Sequence, residues 1–229
     1  MVTTLPYDRH YFAIIGDIVG SKKLQDRKKI QEDLSKVLHD INTTYENVLS
    51  SKLMITLGDE FQGLLQNGTF VTEIVERIER EMYPIKIRFG IGVGKITTNI
   101  DLNSPFGIDG PAYYNAREMI DSLKKNEKKR MDPKSNIKIK IEDNECITEL
   151  INSIFLLNAI IKSRWTKRQR EIVSSYIEYK ETQSSVAEKL GINQSNVQKA
   201  LRSTGYYSYN QALHSIEKAL LQIQEKQYA

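Results

Sequence analysis

Residues 53–65 read LMITLGDEFQGLL. Two apolar runs, Leu53–Leu57 and Phe61–Leu65, flank Gly58, Asp59 and Glu60. Short strands joined by so few residues, one of them Gly, predict a hairpin. The turn then carries two carboxylates into a stretch that is otherwise building a sheet, and the flanking segments decide what those carboxylates meet. Upstream, Tyr11–Val19 (YFAIIGDIV) is a near-continuous apolar run, as a strand buried on both faces requires, and it contains Asp17. Between these segments Ile30, Leu34, Val37, Leu38, Ile41, Tyr45 and Val48 recur at threes and fours and predict a long helix. Downstream, Phe70, Ile74, Ile78 and Met82, with Val71 and Val75 beside them, predict a second helix that Pro84 ends. Ile85–Ile96 (IKIRFGIGVGKI) predicts a fourth strand.

The resulting order, β-α-β-β-α-β, is the split βαβ or ferredoxin-like unit, an antiparallel sheet on two helices. In that topology the first strand and the hairpin are neighbours, so Asp17 and Asp59 are expected to converge at one end of the sheet. A helix over about 111–125, a very basic connector and an edge strand at Ile137–Ile141 follow. From Cys146 on, only helical patterns remain. Ile147–Ile161 is strongly apolar and reads as a connecting or dimerising helix. Further helices are expected at 167–179, 184–190, 194–203 and 208–224. The fold class is therefore α+β with a C-terminal all-α part. The expected division is a mixed domain over 1–143, a connecting helix over 144–163 and a helical domain over 164–229.

The bulk properties narrow the setting. The 229 residues are 40% hydrophobic and 27% charged, ordinary for a globular protein. No apolar run approaches the roughly 20 residues of a membrane helix, so no membrane partner is expected. The N-terminal MVTTLPYDRH has no secretory pattern. A single cysteine excludes an internal disulfide and a cysteine zinc cluster and points to a reducing cytoplasm. The net charge of +4 is modest, but Lys124–Lys134 and Lys162–Arg170 are dense in Lys and Arg.

An unpaired buried carboxylate costs several kcal/mol, on the order of a lost charge pair, and two close acids raise each other's pKa. A divalent ion removes both penalties, and oxygen ligands with water and phosphate suit Mg²⁺ or Mn²⁺. Asp17, Asp59, the Ile18 carbonyl and Glu60 are the candidate ligands, with Asp17 and Asp59 as the catalytic pair. Two plainer readings stay open: Gly58-Asp59 as a simple turn, and Asp17 as a cap for the following helix. Glu60 can equally face solvent. Around Asp17 the run GDIVGSKK places small residues between a strand and a helix, where N–H groups can face an anion. Val19, Gly20, Ser21, Lys22, Lys23 and Arg27 are candidate phosphate contacts. The Walker signature is missing.

These motifs resemble the palm-type fold of class III nucleotidyl cyclases and GGDEF diguanylate cyclases. Leu57-Gly58-Asp59-Glu60-Phe61 is similar to the GGDEF hairpin, and Gly16-Asp17-Ile18-Val19-Gly20-Ser21 to the metal-binding strand and phosphate turn. Arg88–Val93 (RFGIGV) resembles the fourth palm strand. Ala112-Tyr113-Tyr114-Asn115-Ala116-Arg117 resembles A-x-Y-x-A-K. The combination with a C-terminal helix-turn-helix is closest to the SatD family. The resemblance implies a nucleoside triphosphate ligand and two metal-binding acids, Asp17 and Asp59. It also implies Gly58 beside the nucleotide, Arg117 near phosphate and a composite site in a homodimer. Its chemistry would be attack of a 3′-hydroxyl on an α-phosphate. Two departures weigh against a standard cyclase. Lys52 is one residue out of phase with the base-recognising lysine, leaving Leu53 and Ile55 in the facing positions. Asn115 and Arg117 lie at the wrong spacing for the transition-state pair.

Residues 184–202 read SSVAEKLGINQSNVQKALR. Ala187, Gly191 and Val197 fall where a helix-turn-helix needs a small residue, a left-handed turn and a packing residue. The stretch resembles sigma-region-4 and LuxR-type domains. Gln194, Ser195, Asn196, Gln198, Lys199 and Arg202 would face double-stranded DNA. A plain helical bundle or a protein-interaction module is the alternative. Together these readings predict a transcriptional regulator dependent on metal and NTP, or else an active cyclase or oligonucleotide synthase.

Overall fold

The computed structural model describes residues 9–128, 135–179 and 182–225. Most of the basic connector after Lys128 therefore lies outside the described residues. The elements are β1 (Tyr11–Ile18), α1 (Arg27–Thr44), β2 (Leu49–Leu57), β3 (Glu60–Leu65), α2 (Val71–Glu81), β4 (Ile87–Gly94), α3 (Pro111–Lys128), β5 (Ile137–Ile141), α4 (Glu145–Ser163), α5 (Lys167–Tyr179), α6 (Gln183–Leu190), α7 (Gln194–Ser203) and α8 (Tyr206–Glu225).

One mixed five-stranded sheet has the order β2-β3-β1-β4-β5. β1 lies antiparallel to both β3 and β4, and β2 antiparallel to β3. β5 runs parallel to β4 and closes one edge. Alternation along each strand divides the side chains between two faces. Phe12, Ile14 and Ile18 of β1 share one core with Leu34, Val37 and Ile41 of α1 and Ile74 and Ile78 of α2. Tyr11, Ala13 and Ile15 point the other way, under Ala112, Ala116 and Ile120 of α3. Asp17 belongs to this second face.

The way α3 lies on the sheet is set by glycine. A Cβ at Gly90 would stand 2.2 Å from the Ala116 carbonyl oxygen, and one at Gly92 would stand 1.9 Å from that of Ala112. No side chain fits there, so the helix backbone rests directly on β4. The alternating Gly90-x-Gly92 is thus a bearing surface for a helix.

α1 ends at Thr44, short of the Val48 that apolar spacing predicted. Thr43 and Thr44 turn their hydroxyls back onto the carbonyls of His39 and Asp40, a local bond that competes with helix continuation. Asn42 then grips Leu53 of β2 through both its amide nitrogen and oxygen, at 2.9 and 2.8 Å. β2 starts earlier than expected, at Leu49, because its polar Ser50 and Ser51 are buried rather than exposed.

The C-terminal helices form their own small core of Ile172, Val173, Val186, Val197, Leu201, Tyr206 and Tyr209. It is not insulated from the sheet. Ile151 and Phe155 of α4 and Ile216 and Leu220 of α8 belong to the core beneath the sheet, across the boundary expected at 163/164. A Cβ at Gly68 would meet Leu220 Cβ at 2.6 Å and Phe12 Cζ at 3.0 Å. Of the helix expected to connect or to dimerise, Phe155 is buried within the chain at 3% exposure.

By length and composition alone α4 is apolar enough to cross a membrane, contrary to the reading of the sequence. Its polar side chains argue for the folded packing. Asn152 exchanges two hydrogen bonds with the Ile139 backbone, at 2.9 and 2.8 Å. Lys162 reaches Glu76 at 3.3 Å and also pairs with Glu79, both on α2. The Tyr209 hydroxyl of α8 donates to Glu76. Two carboxylates and one ammonium thus meet where α2, α4 and α8 join.

Burial pushes the Glu76 carboxyl above its ordinary 4.5, and Lys162 opposes it. A carboxyl raised by folding contributes stability that is complete below about pH 4.5 and is lost as pH rises through the folded value. Glu76→Gln keeps an acceptor for Tyr209, so it is expected to be at least as stable as the native chain at pH 7. Lys162→Met leaves two carboxylates unpaired and is expected to cost about 3–5 kcal/mol. Urea unfolding of both variants at pH 7 checks the contrast.

Candidate functional site

The sheet end that carries the hairpin turn gathers the acids. In the β1–β3 ladder Asp17 stands opposite Glu60, and the Ile18 N–H donates to the Asp59 carbonyl at 3.3 Å. Gly58 takes the left-handed conformation, φ +63, that the tight turn demands. Its carbonyl accepts the Gln31 side-chain amide of α1, which ties the start of that helix to the hairpin. The exposed turn of Gly20, Lys22 and Lys23, with Ser21 partly covered, leaves β1 at this same end, and exposed Arg27 opens α1. Gly20 is also left-handed, at φ +68.

Not every expected phosphate contact is free for the task. The Val19 N–H is spent on the Lys86 carbonyl at 2.8 Å, and the Ile18 N–H on Asp59. Ile18 is the last residue of β1 and Val19 extends its pairing one step further, which removes both as anion donors.

The Asp17 side chain is 10% exposed. Its charge is met from two directions by residues the sequence reading had not connected with it. Arg88, its register partner on β4, donates through Nη1 to Oδ2, and Lys124 of α3 reaches Oδ1 at 3.1 Å. Arg88 also gives Nη2 to Glu127 of α3. Burial works against the Arg88 charge, but Glu127 and Asp17 outweigh it and leave the guanidinium more basic than a free arginine. Burial of Asp17 therefore does not by itself demand a metal ion, because two cations already meet the cost. Nor does Asp17 cap the helix that follows.

Glu60 is similarly engaged. Both its oxygens are held by Arg117 of α3, the Nη2 contact at 2.6 Å. The Glu60 hydrogen bond raises the Arg117 pKa, and burial opposes it. Glu60, expected among the metal ligands, and Arg117, expected at phosphate, satisfy each other here. Asp59 differs: among the described residues its carboxylate has no ion pair or hydrogen bond. Among the described residues no three His, Cys, Asp or Glu side chains converge on a common cation position. The Asp59 turn is a neighbour of Asp17 through the backbone. An ion that keeps several waters and takes phosphate oxygens needs only one or two carboxylates, and at Asp17 it would replace one of the two cations now there.

A second candidate surface lies on α7. Thr182 caps α6 by accepting from the Ser185 N–H, left-handed Gly191 (φ +61) ends it, and α7 begins three residues after Gly191, at Gln194. Val186, Ala187, Val197 and Leu201 are buried between the helices. Gln194, Ser195, Asn196, Gln198, Lys199 and Arg202 are all exposed, so the six residues expected to read DNA share the outward side of α7.

Residues 11–220 match the model of the SatD family, and the chain belongs to that family. No curated protein matches the sequence. Among solved structures the chain is similar to a bacterial light-regulated adenylyl cyclase, at 11% identity over 69% of this chain and 81% of that one, TM-score 0.43. It is also similar to the guanylyl cyclase Cya2, at 16% identity over 49% and 70%, TM-score 0.34. A third is the regulator of polyketide synthase expression from Bifidobacterium adolescentis, at 13% identity over 94% and 85%, TM-score 0.29. All three are remote likenesses, and the reading of the site rests on its own residues.

Arg88→Ala would leave Asp17 buried with Lys124 alone and free Glu127. It is expected to cost about 3 kcal/mol or more. Arg88→Lys, which keeps the charge but cannot fork between two carboxylates, is expected to recover only part of that. Urea midpoints at constant m-value measure both.

Proposed function

We propose that the chain is a nucleotide-responsive regulator. The sheet end binds a nucleoside triphosphate with Mg²⁺ or Mn²⁺, and α6–α7 form a helix-turn-helix that binds double-stranded DNA. The observation that carries the first half is the juxtaposition of Asp17 with the Gly58-Asp59 turn. Asp59 is the acid with no partner of its own, and the basic turn of Gly20, Ser21, Lys22 and Lys23 lies at the same end with Arg27. Asp17, Asp59 and the Ile18 carbonyl would hold the ion. Gly58 lets nucleotide approach the backbone, and Lys22 and Arg27 would neutralise phosphate. The ion's contribution is charge neutralisation at the phosphate oxygens.

A second reading keeps the same residues and adds turnover: a ribose 3′-hydroxyl attacks an α-phosphate and pyrophosphate leaves, as in a cyclase or oligonucleotide synthase. The retained acid pair favours it. Sensing is favoured by the missing base-recognising lysine and by the cations already seated on Asp17 and Glu60. Each site would be completed in a homodimer, and two copies of α7 would read two half-sites. With Phe155 internal, the exposed Leu150 and Leu157 are the residues of α4 left to meet a partner. The single cysteine, exposed Cys146, suits a reducing cytoplasm.

Asp59→Asn removes a carboxylate that supports nothing else in the fold. Stability is expected to stay within about 0.5 kcal/mol of the native chain, while affinity for Mg-ATP and Mg-GTP falls at least tenfold in calorimetric titration. Unchanged affinity for both would refute the nucleotide site.

On the DNA side, Lys199→Ala and Arg202→Ala in the full chain are each expected to weaken binding and lower the slope of log K against log salt by about 0.9. Asn196→Ala and Gln198→Ala should change which sequence is preferred and leave the slope alone. Gel retardation across a salt series distinguishes these outcomes.

A further inference from the structure

Asp17 holds two cations, and they are not equivalent. The Arg88 side chain is 10% exposed and is anchored at its far end by Glu127. The Lys124 side chain is 39% exposed and makes one contact, at 3.1 Å, from a flexible four-carbon stem. Arg88 is a fixture of the sheet. Lys124 can swing into solvent without leaving a buried group uncovered.

We propose that Lys124 is an exchangeable counter-ion: it occupies the cation position on Asp17 in the free protein, and it transfers to nucleotide phosphate when a divalent ion takes that position. This rests on reading Asp17 and Asp59 as the metal-binding acids. The physical reason is the pairing. Arg88, Arg117 and Lys124 already meet Asp17, Glu60 and Glu127, and among the described residues the Asp59 carboxylate has no such partner. A divalent ion between Asp17 and Asp59 would stand within a few ångströms of the Lys124 ammonium. At the reduced dielectric of a half-buried site that repulsion is of the same order as the attraction gained. Lys124 is the member free to relieve it. Arg88 keeps Asp17 oriented throughout, as a positioning residue held by Glu127.

The exchange makes ion and nucleotide interdependent. An ion alone must evict Lys124 with nothing to receive it. With a triphosphate present, the displaced ammonium gains a phosphate partner. Each ligand therefore raises the affinity for the other by the same factor, and the pair binds where either alone binds weakly. A sensor built this way responds to the metal–nucleotide complex and not to the metal ion.

The test is Mn²⁺ binding to the full chain, read from the electron paramagnetic resonance of free Mn²⁺, first without nucleotide and then with ATP or GTP. Lys124→Met removes the competitor. It is expected to bind Mn²⁺ alone about tenfold more tightly than the native chain, and to lose most of the gain that nucleotide brings. Lys124→Gln serves if the Met variant does not fold, and Lys124→Arg should behave as native. Suppose Lys124→Met binds Mn²⁺ no more tightly while Asp17→Asn binds it less. Then the acids hold the ion but Lys124 does not compete, and the exchange is wrong. If Asp17→Asn binds Mn²⁺ as the native chain does, the metal-site reading fails and the exchange fails with it.

Discussion

The contact between α3 and β4 is the constraint on which the site depends. A helix normally stands off a sheet by the thickness of its side chains. Here Gly90 and Gly92 remove that layer, and the carbonyls of Ala112 and Ala116 come down onto the strand. Once those two points are fixed, helical geometry dictates the rest. Residues 112, 116, 120 and 124 form one i+4 row, so the row that begins over Gly92 delivers Lys124 to Asp17. The adjoining row through Tyr113 delivers Arg117 to Glu60. The acids come from the strands and the cations from the helix, and the glycine bearing puts them in register.

Much of this frame is legible in the sequence, and the reasons differ by element. β1 and α2 read clearly because their apolar periodicity is uninterrupted. The end of α1 did not, because Thr43, Thr44 and Asn42 act through side-chain bonds to the backbone that no periodicity records. The convergence of Asp17 with the Gly-Asp turn followed from topology alone. The partners of those acids did not. Lys124 reads as one member of a basic run and Arg88 as a polar interruption in a strand. Only the antiparallel register, which pairs Asp17 with Arg88, assigns them. The Gly90-x-Gly92 alternation was visible, and a helix-bearing strand was a physical reading available from it. The ladder bond from Val19 to Lys86 depends on how far pairing runs past the last strand residue, which composition does not encode.

The two charged clusters lie on opposite faces of the sheet and are linked by hydrogen bonds through one residue. Asn136, just before β5, donates its amide to the Ile87 carbonyl at 3.0 Å and to Glu79 at 3.2 Å, and its own carbonyl accepts the Phe89 N–H. Arg88 sits between those two backbone groups. The backbone on either side of Arg88 and one carboxylate of the α2–α4–α8 junction are thus braced by a single asparagine. Glu79, Lys162, Glu76 and Tyr209 continue the polar contacts to α8, which also walls the small core behind α7.

α8 has one further consequence, which concerns the order in which the chain is made. Phe12 is among the first described residues and Leu220 among the last, yet they meet across Gly68 in one core. During synthesis the sheet and its first three helices can assemble while the far end is still being translated. The apolar floor around Phe12 and Gly68 stays open until α8 arrives, some 150 residues after Gly68, as an order-of-magnitude count of chain length. The nascent protein therefore carries a hydrophobic seam that waits for α8, and a chain cut short before α8 leaves the underside of its sheet uncovered there.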